Sequence, residues 1–328
     1  AFNMFNNRLK VDFTYYNKLY YNLTRKASIS EASGFESTLI NIDEEQLRKG
    51  FEITLSGDII RTKDWSWTSM FNWARDRYYY SQVDPIYSTQ KPWVKAGERW
   101  DWLGVYDWER DSKGNIIHEN GYPVISNYQS VAGYEYPDWI WGWSNTISYK
   151  NFTLNFTFDG RVGGVAHSVT DQALWNSGAH IDSDNQWRYD EVVNGNISFI
   201  GSGVKVVSGS VDYDINGNIV RDDRVFAAND VPVSYEAYMS NMNPYIGSVR
   251  SQNIFDQTYF KLRDLSVSYQ VPASICQKVK LKGASLAFVG QNLLIWTKEF
   301  RFSDPDRASD NLNSPSSRYV GFNVKLDF

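Results

Sequence analysis

Between Val211 and Arg224 the chain sets Asp212, Asp214 and Asn216 at alternate positions, with Gly217 next and Asp223 at the twelfth place. Oxygen donors at alternate positions around a turn glycine are what a hard dication such as calcium requires. The same residues also read as a hairpin, because Val211, Tyr213 and Ile215 alternate into Asn216-Gly217 and Ile219 starts a return strand. The hairpin is the better fit, since no helical pattern flanks the segment and Asp223 stands where a calcium loop has a bidentate Glu. Ser112-Lys113-Gly114-Asn115 reads as a second hairpin turn, with no case for a metal. Trp93, Trp100, Trp102 and Trp108 crowd one stretch, and Trp175 and Trp187 another, among many Asp, Asn and Ser residues. Such rings stack on the apolar faces of sugars while polar neighbours take the hydroxyls; they equally pack long loops together or meet a protein partner. Catalysis has no foothold. His118, His167 and His180 stand apart from any nucleophile elbow, paired zinc-binding histidines or phosphate-cradling glycine loop, and nothing positions a carboxylate pair. The chain is therefore expected not to be an enzyme and to need no cofactor beyond the weak calcium candidate.

The elements that must position these residues follow a period of two. Eight segments put apolar side chains on one face only: Leu9 to Tyr15; Phe51, Ile53, Leu55 and Ile59; Trp65, Trp67, Phe71 and Trp73; Trp139 to Tyr149; Phe152 to Val162; Leu265 to Val271; Ala284 to Trp296; and Tyr319 to Phe328. Their polar faces carry Asp, Glu, Lys and Arg in mid-strand, which suits a wet lumen and not a dry sandwich interior. No run of about eighteen apolar residues exists to cross a bilayer as a helix. The 13 Trp, 22 Tyr and 18 Phe residues gather at the ends of alternating segments, as in the aromatic girdles of membrane barrels. Trp139, Trp141 and Trp143 belong on the outward face of such a girdle. A net charge of −5 without a basic tract leaves nucleic acid no electrostatic footprint, and the single cysteine, Cys276, makes no internal disulfide.

The connections alternate between short and long. Residues 62–64, 150–151 and 272–283 are the short links, whereas 22–49, 81–138, 163–256 and 297–317 far exceed the usual loop of about 4–6 residues. Outer-membrane barrels divide their loops in this way, short toward the periplasm and long toward the outside. The expected fold is thus all-β: an antiparallel transmembrane β-barrel portion of about eight strands, multi-pass in the outer membrane of a Gram-negative bacterium, with the long loops extracellular. A self-closed eight-stranded barrel is geometrically allowed, but loops this long are out of proportion for it. No secretion signal opens the chain at Ala1 to Asn7, so the expectation is the C-terminal part of a longer protein.

The run from Asp256 to Pro272, then Gln291-Asn292-Leu293-Leu294, Ser303-Asp304-Pro305-Asp306 and Arg318-Tyr319 to Phe328, resembles the C-terminal barrel segment of SusC/RagA-type TonB-linked outer-membrane transporters. Asn7-Arg8, Lys49-Gly50-Phe51-Glu52 and the stretch from Trp67 to Asn72 look like earlier strands of the same family, so the likeness covers essentially the whole chain. The resemblance implies a larger 22-stranded barrel with an internal plug that lies outside this chain, importing glycans, or peptides in other members, with energy from the TonB complex. It implies as partners the remaining N-terminal barrel and plug, a SusD-like surface lipoprotein, outer-membrane lipid, and the barrel-insertion machinery, which would read Phe328 as an assembly signal. An alternative is a barrel fragment held as an assembly intermediate or substrate of that machinery.

Overall fold

The computed structural model describes residues 1–244, 250–306 and 316–328; parts of two long links, 245–249 and 307–315, lie outside the described residues. Nine strands form one antiparallel sheet in chain order: β1 (Phe2–Met4), β2 (Leu9–Tyr20), β3 (Glu45–Arg61), β4 (Trp65–Gln82), β5 (Trp139–Tyr149), β6 (Phe152–Val162), β7 (Tyr259–Gln270), β8 (Gly283–Thr297) and β9 (Tyr319–Asp327). The eight long strands are those expected from alternation. Three-residue β1 is too short to show a period, and β3 and β7 begin earlier than expected, where Glu45 and Tyr259 enter the ladder before a clean apolar stripe starts. Ile59 departs from its expected face position: the register shifts between Asp58 and Ile60, so Ile60 pairs with Trp67 and Ile59 is the extra residue of a bulge.

Register joins the apolar residues into continuous rows. Phe13, Ile53, Trp73, Trp141, Gly160, Phe260 and Trp296 are successive cross-strand partners, as are Val11, Leu55, Phe71, Trp143 and Phe158. Nearer the short turns, Trp65, Tyr149, Phe152 and Tyr269 make a second aromatic row, with Trp65 and Tyr149 4.3 Å apart and Phe152 and Tyr269 4.6 Å apart. On β5 the two aromatic levels are Tyr149 and Trp139 to Trp141. Eight to ten residues at about 3.4 Å each, tilted by about 40°, separate them by about 21–26 Å, close to the apolar band of an outer-membrane barrel. Two small polar residues interrupt this face for a reason: Trp67 donates its indole N–H to Asn145 Oδ1 at 2.9 Å, and Trp143 donates to Ser69 Oγ at 2.9 Å. An indole N–H facing lipid has no water to bond.

The opposite face is a lattice of hydroxyls and amides. Ser144 meets Thr157 at 3.2 Å, Thr146 donates to Asn155 at 2.8 Å, Ser148 meets Thr153 at 3.1 Å, and Thr54 donates to Asn72 at 2.8 Å. The sheet thus has one apolar and one polar face, the inside–outside contrast of a barrel wall. Among the described residues β1 and β9 are the two edges, not paired with each other.

Every long link leaves the same end of the sheet. The short links at the other end include 62–64 and 150–151, and 271–282, which holds helix α4 (Ala273–Lys278). The long links are structured, which alternation could not reveal because their elements are brief. The first holds a hairpin, Leu23–Ser28 with Ser37–Ile42. The second pairs Trp102–Trp108 with Ile125–Tyr134. The third carries helices α1 (Val169–Asn176), α2 (Gln186–Asn194) and α3 (Tyr235–Met242), the last two capped by Asn185 and Ser234 side chains. Parallel pairing of Val204 and Lys205 with Ile117 and His118 stitches the second and third links into one layer.

Candidate functional site

The densest chemistry of the polar face lies at the long-link end of β7. Tyr259, Lys261 and Arg263 project toward that face, aided by a bulge: the ladder steps from Phe158–Leu262 to Thr157–Asp264, leaving Arg263 as the extra residue. On β8 the matching irregularity falls at Gln291 to Leu294, where Asn292 takes φ +51° and donates to the Ser317 carbonyl at 3.1 Å. The last long link folds onto this wall. Asp304 receives Lys261 Nζ at 2.5 Å, Asp306 receives the same group at 3.2 Å and the Tyr259 hydroxyl at 2.9 Å, and Arg263 bridges Asp306 and Asp159, the latter at 2.7 and 2.8 Å. The Lys261 side chain is 2% exposed and that of Asp304 7%. Burial pulls the Asp304 carboxyl upward, yet hydrogen bonds from Lys261 and Ser316 outweigh it and leave the group below the ordinary carboxylate range. Asp306 is held low in the same balance, by Arg263 and Lys261 against burial. Reading the sequence for chemistry missed this cluster. Its signal was present as Tyr-x-Lys-x-Arg on one strand face, with Asp159 on the neighbouring strand and two aspartates in Ser303 to Asp306.

The six singled-out tryptophans do not converge on one site. Trp108 is 3% exposed, donates to Gln252 Oε1 at 2.8 Å and lies 5.1 Å from the Arg250 guanidinium, so it ties the second link to the third. Trp93 and Trp102 meet edge to face at 5.4 Å, and Trp102 donates to the Tyr80 hydroxyl at 3.2 Å. Trp100 leans on Tyr78 and Trp187 on Phe199, both with much of the ring exposed. Trp175 stacks on His180 at 4.1 Å and lines two adjoining clefts. One, between α1, α2 and α3, also presents Arg188, Glu191 and Tyr235; the other is lined as well by Met242, Phe255 and Arg301. Of the histidines, His118 is buried against the Tyr238 hydroxyl at 3.0 Å, and burial pushes its pKa down, so it sits neutral in the loop layer. His180 is wedged between Trp175 and Phe302, and His167 contacts Gln172 at 2.7 Å. Phe328 lies just beyond β9, 79% exposed.

The calcium candidate is built as a hairpin, Val211–Tyr213 against Ile219–Asp222. Asp214 Oδ1 accepts the amides of Asn216 and Asn218 at 2.8 Å each, Asp212 pairs with Arg221 at 2.9 Å, and Asp223 accepts the Ser210 amide at 2.6 Å. Their oxygens already have partners, which disfavours turning them together onto an ion. Asp111 repeats the Asp214 turn: each aspartate accepts two amides and an Asn side chain, and Gly114 and Gly217 supply φ of +86° and +87° at the same step. Hydrogen bonds from Asn115 and Asn218 hold the two carboxyls below their ordinary value. A lowered pKa in the folded state means that the turn's stability is complete above the ordinary aspartate value of about 4 and is lost as pH falls through the lowered one. We expect Asp214→Ala to speed hydrogen exchange at the Asn216 and Asn218 amides at neutral pH, and the wild-type turn to show the same loosening only well below pH 4; unchanged exchange in the variant contradicts this. Among the described residues no group of three or more His, Cys, Asp or Glu side chains is arranged to hold a metal.

No family model matches the chain. Along 99% of its length it is 25% identical to TonB-dependent receptor P3 of Formosa agariphila, and along 98% it is 22% identical to TonB-dependent receptor P26 of the same organism. The chain spans 31% of the length of each of these curated relatives. Among solved structures, the RagAB peptide transporter matches over 99% of this chain and 34% of its own, with a TM-score of 0.60 and 18% identity. The 'closed-closed' and 'open-open' states of the RagAB peptide importer match with TM-scores of 0.63 and 0.62. The fold is that of about a third of such a barrel chain, and the expected resemblance to TonB-linked transporters is borne out.

Proposed function

We propose that this chain is the C-terminal barrel segment of a TonB-dependent importer that carries nutrients across the outer membrane, with its long links outside the cell and its short turns in the periplasm. The observation that carries this reading is the one-sided placement of all the long links on a sheet with one apolar and one polar face. In the intact importer the remaining barrel strands and the plug pair with and fill this segment, closing the edges that β1 and β9 leave, since a spanning sheet cannot leave an edge in lipid. A SusD-like lipoprotein covers the mouth, and TonB engages through the plug.

The substrate class we favour is a glycan. The clefts beside Trp175 combine an aromatic wall with Asn176, Ser177, Arg188 and Glu191, the mixture that sugar rings and hydroxyls use. Peptide is the second reading, favoured by the fold match to the RagAB peptide transporter. Calorimetric titration of the intact importer and its lipoprotein, with oligosaccharide mixtures in one arm and oligopeptides in the other, separates them. The expected result is oligosaccharide binding that weakens about tenfold in Trp175→Ala, the scale of one lost aromatic contact. Peptide binding alone moves the assignment to the second reading, and binding of neither defeats both.

A further inference from the structure

Above the long-link aromatic level, the outward face changes chemistry within two residues. Tyr15, Phe51 and Arg75 are cross-strand partners in one row, and Asn17, Lys49 and Arg77 in the next. The register continues the apolar face below, through Phe13, Ile53 and Trp73, so these side chains share the side that meets lipid. Arg77 is satisfied: it is buried, pairs with Asp138 and donates to the Pro137 carbonyl at 3.2 Å. Arg48, on the polar face, is likewise matched by Asp76 at 2.6 Å. Arg75 and Lys49 differ. Both are exposed, neither has a carboxylate partner among the described residues, and Lys49 has only the Tyr79 ring at 5.9 Å. As diagonal neighbours on adjacent strands their side chains are rooted about 7–8 Å apart, close enough for one anionic group to meet both.

Two cations without a carboxylate partner among the described residues, Arg75 beside Phe51 in the Tyr15 row and Lys49 with Asn17 in the row beyond it, stand over Ile53 and Trp73 and fit an amphiphilic anion. We propose that Arg75 and Lys49 hold the phosphate of an outer-leaflet lipid, whose acyl chains lie along the aromatic and aliphatic rows beneath. The assignment of leaflet rests on the orientation proposed above; the contact itself rests on the register and on charge complementarity. Arginine presents a planar donor pair to phosphate and lysine a mobile point charge, so the two together tolerate a headgroup in more than one pose.

The test is native mass spectrometry of the intact importer in detergent, titrated with bisphosphorylated lipid A, dephosphorylated lipid A, phosphatidylglycerol and inorganic phosphate. The variants are Lys49→Gln with Arg75→Gln, and Lys282→Gln at the short-turn end as a control; retention of the heat-modifiable gel shift confirms that each barrel is formed. A basic residue at an anionic lipid surface is worth about fivefold in binding, so the double variant is expected to lose about 20–30-fold for bisphosphorylated lipid A. Wild type should bind the dephosphorylated lipid about as weakly as the variant binds the phosphorylated one, and Lys282→Gln should match wild type. Equal binding by wild type and double variant overturns the site. Competition by millimolar inorganic phosphate makes it a free-anion site and overturns the lipid assignment. A loss confined to phosphatidylglycerol overturns the lipid A assignment, while the orientation is read independently by labelling on whole cells.

Discussion

Lys261→Met is expected to free the last long link from the polar wall, with a local cost of about 3–5 kcal/mol, because it strands the Asp304 carboxylate in a place that water barely reaches. Among the described residues Asp304 would keep the Ser316 hydroxyl and the Asp306 amide. Asp306 would keep Arg263 and Tyr259 but lose its second cation. Hydrogen exchange in residues 298–306 of the intact protein should then lose more than about a hundredfold of its protection, since each 1.4 kcal/mol is a factor of ten. Lys261→Met combined with Asp304→Leu should recover most of that loss, because removing both charges also removes the desolvated orphan. Unchanged protection in the single variant contradicts a clamp at this position. A single variant no more damaging than the double would mean that packing, and not the ion cluster, holds the link.

The second large effect separates the faces of one strand. Leu265 lies in the row of Phe156 and Gly290, near the middle of the apolar face, and its neighbour Ser266 accepts from the Asn155 amide on the polar face. Leu265→Arg is expected to destabilise the intact barrel by about 2–4 kcal/mol, the cost of a cation facing lipid near the midplane. Ser266→Arg should cost far less, since its side chain enters a wet, polar space. The temperature at which the heat-modifiable band is lost measures both. Equal sensitivity would mean that neither face meets lipid.

The barrel wall was legible because its physics is local. Alternation at Phe152 to Val162 or Tyr319 to Phe328 records which side is apolar, and a slip by one residue would invert every side chain. The bulges at Ile59 and Arg263 were not legible, since each spends one residue outside the period and only the partner strand reveals it. The long links hid their structure for a different reason: strands such as Ile117–Glu119 are too short to show a period and exist because Val204–Ser208 lies beside them. The tryptophans showed the limit of residue type as a guide. Trp108 and Trp102 hold loops together, whereas Trp175 lines a cleft, and no feature of spacing distinguished them. The hairpin at Asp214 was readable because Asn216-Gly217 encodes its turn directly.

Sidedness is the claim on which import, lid and lipid contact all depend, and it can be read on living cells. Ile215 stands 95% exposed at the tip of a long-link hairpin, and Lys63 lies in a short turn. The native thiol, Cys276, is buried and offers little background. With Ile215→Cys and Lys63→Cys placed separately in the intact protein, a membrane-impermeant maleimide applied to whole cells should label the first and reach the second only after the outer membrane is broken. Labelling of Lys63→Cys on intact cells, with Ile215→Cys protected, would contradict the account at its root.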